Sequence, residues 1–283
     1  MKLLVTNDDG VASPGLWALA DGLRQAGYEV VVVAPAQERS GSGAAIGHIV
    51  PGQGVAVAPV DRAGWETSAW AVDGAPALCV LLALRLGAFG EGFQAVVSGI
   101  NPGWNTGRGV IHSGTVGAVL TGGNAGLPGV AVSIDAFTHQ VGEVGLRPGV
   151  REHWDSAAAL AVAAVGCLDR LPPPSDATVP TMLNLNVPNL PLGEVPAVRA
   201  ATLGRSAASG IRQQRAEVGD DGRLLLLDLE PPTFTPWPGS DNALLPQGFA
   251  TVTVLTGIGE APGAGGQVVE ALGTLVGGLV ARL

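Results

Sequence analysis

Asp8 and Asp9 follow the apolar run Leu3-Leu4-Val5 and precede Gly10. Such a run suits a strand buried on both faces. Two adjacent carboxylates at the carboxyl end of a buried parallel strand repel each other and lose hydration. A pair of this kind persists when a cation sits between the groups. In an open α/β sheet that edge is where ligands bind. The opening stretch therefore points to a metal site.

Two further stretches bring oxygen donors to the same edge. Residues 36–48 form a polar, Gly-rich loop after the second strand, and Ser40 in it can reach a metal or a phosphate. Read alone, that stretch is more often a surface loop, and His48 in it reads as structural or exposed. A third buried strand, Phe93 to Val97, runs into Ser98-Gly99-Ile100-Asn101. Asp8, Asp9, Ser40 and Asn101 are all hard oxygen donors, which suits Mg²⁺ or Mn²⁺. A helix beginning near Ser113 or Gly114 presents free backbone amides, the Ser113 and Thr115 hydroxyls and a positive dipole end, an anion site. Simple capping by Ser113 is the commoner use of such a residue. A hard metal beside a helix tip is what phosphoryl transfer needs, so the chemistry suggested is metal-assisted phosphate-ester hydrolysis. Asp8 and Asp9 hold the metal, and one of them orients or deprotonates the attacking water.

The elements that must position these groups are legible in the spacing. Pro14 to Ala26 reads as a helix with Ser13 as N-cap and Gly27 as its stop, followed by a Val-rich strand from Glu29 to Ala34. Strand, helix and strand make a βαβ unit. Residues 54–72 suggest a hairpin or edge strands, Ala75 to Leu86 a helix, and Val130 to Ile134 another buried strand. Beyond that, residues 138–152 read as a loop, His153 to Leu171 as a helix ended by Pro172-Pro173-Pro174, and Thr181 to Val187 as a strand. Strands around a turn at Gly219 to Gly222 follow, and Asp220 and Asp221 are turn residues there. Residues 231–248 read as irregular, Ala250 to Leu255 as a strand and Gln267 to Leu283 as a terminal helix. Tight βα alternation gives way to β-rich segments near residue 135. That sets off a core at 1–135 from a C-terminal portion at 136–283, which completes one domain.

Composition narrows the function classes. The 283 residues carry a formal net charge of −9, are 47% hydrophobic and only 14% charged, and include 43 glycines without a triplet period. A sizeable core is therefore expected, built from Val, Leu and Ala. Lys2 is the only lysine and basic residues do not cluster, which argues against stable nucleic-acid binding. Cys79 and Cys167 lie in apolar runs and are expected to be buried, reduced thiols. No signal peptide and no membrane span are expected, which suggests a cytoplasmic protein.

These motifs also carry a family likeness. Thr6-Asn7-Asp8-Asp9-Gly10 with Ser13-Pro14-Gly15, Ala34-Pro35 with Arg39-Ser40-Gly41, Val96 to Asn101, and Ser113-Gly114-Thr115-Val116 resemble the survival protein SurE family of metal-dependent nucleoside monophosphate phosphatases. Gly126-Leu127-Pro128, Asn184-Leu185-Asn186-Val187-Pro188, Thr202-Leu203-Gly204-Arg205 and Gly239-Ser240-Asp241 with Gly248 extend the likeness along most of the chain. The resemblance implies a three-layer Rossmann-like α/β domain with a mostly parallel sheet and a C-terminal β-rich oligomerisation extension. It implies one divalent ion held by Asp8, Asp9, Ser40 and Asn101, with Asn105, Ser113, Gly114 and Thr115 lining a phosphate pocket. It further implies dephosphorylation of 5′- and 3′-nucleotides by a homodimer or homotetramer with exchanged C-terminal segments.

The chain departs from the family pattern where Arg108-Gly109 replace two acidic residues after Asn105-Thr106-Gly107. That change bears on substrate preference or anion affinity. Asn242 and Ala243 also stand where the family carries an aromatic residue and often a histidine. The rival function is a non-catalytic switch or nucleotide-binding protein. A phospho-receiver would need an acceptor Asp after the third strand and a later lysine, and this chain has Asn101 and no such lysine.

Overall fold

The computed structural model describes residues 1–50, 52–66, 68–140, 143–146, 152–168, 180–205, 210–219, 222–230 and 236–256. The chain opens with β1 (Lys2–Thr6), α1 (Pro14–Gln25), β2 (Glu29–Pro35), β3 (Val57–Pro59), β4 (Ala69–Val72), α2 (Pro76–Leu86) and β5 (Ala95–Asn101). A 3₁₀ turn at Arg108–His112 leads into α3 (Gly114–Asn124) and β6 (Gly129–Ile134). Then come β7 (Phe137–Gln140), β8 (Glu143–Leu146), α4 (Trp154–Val165), β9 (Met182–Val187) and β10 (Val198–Ala200). The described chain ends with β11 (Gly210–Gly219), β12 (Gly222–Glu230), α5 (Asp241–Leu244) and β13 (Ala250–Leu255).

Nine strands form one sheet in the order β10-β13-β9-β6-β5-β1-β2-β4-β3. Its central strands, from β9 to β4, are parallel, and antiparallel pairs occur only where β13 meets β9 and β3 meets β4. The middle of the sheet is β1, with Leu4 opposite Val31 of β2 and Val96 of β5. Its alternate side chains serve two cores. Leu3 and Val5 pack with Leu16, Leu19 and Leu23 of α1 and Ala157 and Ala161 of α4. Leu4 packs on the other face with Cys79, Val80 and Ala83 of α2 and Ala118 of α3. The result is a three-layer α/β fold, as a continuous apolar strand requires.

Helix ends follow the residues that mark them. Pro14 opens α1; Ser13 has the extended backbone of an N-cap, but its hydroxyl makes no capping bond. Gly27, with φ +90°, turns the chain away afterwards. In α3 the Ser113 hydroxyl does cap, accepting from the Val116 N–H.

Some expectations are corrected. Residues 138–152 are not all loop, because Phe137–Gln140 and Glu143–Leu146 pair as an antiparallel hairpin. Four residues per strand leave too little periodicity to be read. Within 231–248, the single turn of α5 and a 3₁₀ turn at Leu245–Gln247 are likewise too short to be read from periodicity. Cys79 is buried and burial pushes its thiol up to about 12, but Cys167 is exposed, because α4 ends at Val165 and the chain turns there. Residues 169–171 at the end of the expected fourth helix lie outside the described residues, as do Pro172 to Pro174, Asp220, Asp221 and the expected helix at 267–283. No helix among the described residues is long and apolar enough to cross a membrane.

α1 meets the end of β5 through Gly15, where a Cβ would stand 2.2 Å from the Ile100 carbonyl oxygen. Alanine favours a helix over glycine by about 1 kcal/mol, whereas overfilling a packed contact against backbone costs about 1–3 kcal/mol. Gly15→Ala is expected to destabilise the protein, seen as a lower urea midpoint with an unchanged slope.

Candidate active site

The end of β1 is built to hold charge in a dry place. Asn7 is fully buried, and its side-chain amide donates to the Gly10 carbonyl, closing the turn that follows the strand. Gly10 has φ +89°, and a Cβ there would lie 2.9 Å from the Gln37 backbone. This glycine therefore lets the turn lie against the loop after β2. Between them Asp8 is 3% exposed, and its carbonyl accepts from the Arg39 N–H at 2.7 Å.

The Asp8 carboxylate points at the start of α3. The Thr115 hydroxyl donates to Asp8 Oδ1 at 2.5 Å, and the amides of Gly114 and Thr115 also act on the carboxylate. The anion at this helix tip is thus Asp8 itself, which makes Thr115 and Gly114 direct supports of the acidic pair. Burial still outweighs these donors and holds the Asp8 pKa above the ordinary carboxylate range. Asp9 has less help. Burial first, then the charges of Asp8 and Glu38, push its carboxyl up to about 8, and its Oδ2 is buried without a hydrogen-bond partner.

Close approach of α3 to the loop after β2 depends on glycines. A Cβ at Gly117 would fall 2.1 Å from the Gly43 carbonyl oxygen. A Cβ at Gly114 would fall 2.6 Å from Ser42 Oγ and 2.9 Å from Asp8 Oδ2. Those two oxygens therefore flank one spot, and Ser42 Oγ is buried with no partner. Ser40 sits two residues earlier, exposed, with its hydroxyl donating to Glu38. The hydroxyl set beside Asp8 is that of Ser42.

Neighbouring β5 delivers Asn101. Ser98 is opposite Thr6 in register, so both strand ends lie on the same edge, and the Asn101 amide donates to the Gly103 carbonyl. Asn105 is held by a polar network on the next strands. Its N–H donates to Asn186 Oδ1, its side chain donates to Ser133 Oγ, and its carbonyl accepts from Asn184 and Asn186. The Asp241 carboxylate, fully buried, accepts from the Gly107, Gly204 and Asn242 amides. The Gly239-Ser240-Asp241 stretch thus secures the Asn105 loop although Asn242 and Ala243 depart from the family pattern. Arg108 is exposed on the 3₁₀ turn leading to the helix tip.

Glu38, Ser42, Ser133, Asn184, Asn186 and Asp241 enter the site in roles that the sequence did not assign them. Two asparagines alternating in a buried strand were the available signal, because a buried carboxamide needs partners. No group of three or more His, Cys, Asp or Glu that could hold a metal gathers among the described residues. A cation at this edge would therefore rest on the two carboxylates with hydroxyl and amide oxygens. An orphaned buried Asp9 oxygen, mutual repulsion and an all-oxygen donor set fit a hard divalent ion.

Comparison with known proteins gives the family and the fold. A sequence model described as survival protein SurE matches residues 3–210. The chain is 42% identical over 204 residues to a protein named 5′-nucleotidase SurE from Xanthomonas euvesicatoria pv. vesicatoria, covering 72% of this chain and 70% of that protein. A protein of the same name from Xanthomonas oryzae pv. oryzae is 41% identical over the same length. Among solved structures, the SurE protein from Aquifex aeolicus superposes with a TM-score of 0.74 at 27% identity, covering 95% of this chain and 98% of that one.

Asp9 makes the metal-free protein sensitive to pH. Its native pKa, about 8, is above the ordinary 3.8, so the folded state binds the proton more tightly than the unfolded chain. Stability is then greatest below the unfolded pKa and falls as pH rises through that window. With a chelator present, the melting temperature is expected to drop from pH 4 to pH 8, and Asp9→Asn is expected to shrink the drop. Mg²⁺ or Mn²⁺ is expected to raise it more at pH 8 than at pH 5, since binding requires the deprotonated pair.

Proposed function

The chain belongs to the survival protein SurE family, and from that premise we propose that it is a metal-dependent phosphomonoesterase that hydrolyses nucleoside 5′-monophosphates to nucleoside and phosphate. The observation that carries this reading is the Asp8–Asp9 pair, with Asp8 buried and held at the α3 tip and Asp9 left with a buried, unpartnered oxygen. In this reading Asp8 and Asp9 hold one divalent ion, Mg²⁺ or Mn²⁺, and Ser40 and Asn101 complete the donor set, with Ser42 available beside Asp8. When bound, such an ion neutralises charge on phosphate oxygens and lowers the pKa of a bound water.

The chain's own residues do the rest. Thr115 and the α3 amides lock the Asp8 carboxylate in one orientation. Asp9, with an unpartnered oxygen, takes the proton of the attacking water and makes it available to the departing ribose oxygen. In this reading Asn105 on its braced loop and the Ser113 hydroxyl, which caps as an acceptor and keeps its proton to donate, position the phosphate, while Gly114 and Thr115 act on it through the Asp8 carboxylate they hold. Extension to 3′-monophosphates, a homodimer or homotetramer, and a cytoplasmic location belong to the same reading and rest on the family likeness.

Turnover of a nucleotide panel after chelation, with each metal restored in turn, tests the proposal. Activity is expected to vanish on chelation and return with Mg²⁺ or Mn²⁺. Asp8→Asn is expected to lose about 100-fold or more in kcat while remaining folded. Full activity of Asp8→Asn with metal present would overturn the assignment. Nucleotide binding with no turnover by the wild-type protein would make it a binding protein instead.

A further inference from the structure

A hollow of about 520 Å³ lies at the other end of the sheet, where the parallel strands begin. Its size falls within the roughly 300–1,000 Å³ range of small-molecule sites. Lys2 at the start of β1, Glu29 at the start of β2, Trp70 near the start of β4 and the turn at Ala88-Phe89-Gly90 after α2 bound it. Arg24 from the last turn of α1 and Ser68 complete the lining. Asp8 lies six residues beyond Lys2 along the chain, about 20 Å away at the rise of a parallel strand. The hollow is therefore separate from the candidate active site.

The charged groups that line it are Lys2, Arg24 and Glu29, so two cations meet one carboxylate in a chain whose net charge is −9. Lys2 is the only lysine, and its side chain is 20% exposed, where a lysine ordinarily stands in water. Its ammonium is held in place. It pairs with Glu29 at 3.1 Å, lies 5.3 Å from the centre of the Phe93 ring and packs against Gly90, where a Cβ would stand 2.9 Å from Nζ. The Glu29 side chain is 67% exposed, and an ion pair so open to water is weak. The ammonium thus remains able to hold another anion. Arg24 has no ion pair among the described residues. Its guanidinium lies 3.2 Å over the Trp65 ring and donates to neutral oxygens, Ser68 Oγ and the Gly64 carbonyl. Glu66, a carboxylate that feels its charge, is exposed and accepts from the Gly64 N–H instead.

The apolar part of the lining is aromatic. Trp70 and Phe89 stand edge to face with ring centres 5.6 Å apart, and Trp70 is only partly buried. Such a pair takes up a further flat ring by offset or edge-to-face packing. We propose that this hollow is a second ligand site, for a planar aromatic acid whose anionic group meets Lys2 and Arg24 and whose ring packs against Trp70. A neutral ring leaves the excess positive charge unmet, and a small inorganic anion leaves the aromatic wall uncovered. No residue of the acidic edge lines the hollow, so the inference does not depend on the phosphatase reading.

Calorimetry of the full chain with 2-naphthoate, with a chelator present, tests the proposal. One molecule is expected to bind per chain, with a Kd of about 1 mM or tighter. Two analogues separate the two halves of the recognition. 2-Naphthalenemethanol has the ring without the charge, and cyclohexanecarboxylate has the charge without an aromatic ring. Each is expected to bind at least about tenfold more weakly. Lys2→Gln is expected to weaken naphthoate binding by about tenfold. Ala88→Glu, at an exposed position on the rim, adds bulk and negative charge to the hollow and is expected to abolish binding. Melting temperature checks folding of both variants, and if one does not fold the other decides. Absence of binding to the wild type, unchanged binding in a folded variant, or an analogue bound as tightly as naphthoate would overturn the proposal.

Discussion

Two carboxyl groups with little water around them stand at the carboxyl end of β1, and the cost of ionising them shapes the surrounding elements. Removing a carboxylate from water costs several kcal/mol even after a protein relaxes around it. Asp8 recovers part of that cost from the Thr115 hydroxyl and from the amides at the α3 tip. Asp9 recovers little, since its neighbours Asp8 and Glu38 carry the same sign and one of its oxygens has no partner. Asp9 is therefore the carboxyl whose ionisation is least compensated. This imbalance is what the proposed hard cation would relieve.

Bringing the compensating groups so close requires backbone without side chains. Gly114 leaves room for Ser42 and Asp8 to share one spot, and Gly117 lets α3 lie on the Gly43 carbonyl. Either glycine replaced by a larger residue would push the loop and the helix apart. The high glycine content, which in composition looks like a weakness in helix and strand, here marks the contact between α3 and the loop after β2.

The later part of the chain enters the site by support. Asn184 and Asn186 on β9 hold the Asn105 carbonyl, and Asp241 holds the Gly107 amide. These partners lie some eighty and more than a hundred residues beyond the loop they brace. Extension of the parallel sheet from β5 through β6 to β9 places the two asparagines there. Burial of Asp241 is tolerable because three backbone amides serve its carboxylate.

The residue order alone determined the parallel βα core and the family. It also determined Asp8, Asp9 and the Ser113-capped helix as parts of one edge. Each of these is written in short-range pattern: an apolar run before acids, a capping serine, glycine or proline at an element's end. Tertiary structure alone decided that the α3 tip serves Asp8, that Ser42 is the hydroxyl beside it, and that Asn184, Asn186 and Asp241 brace the Asn105 loop. It also decided that Cys167 is exposed and that residues 137–146 pair as a hairpin. Such outcomes depend on which atoms come within hydrogen-bonding or van der Waals distance after the chain has packed. That distance is set jointly by helix position, strand register and the absence of a Cβ, none of which has a signature in local periodicity.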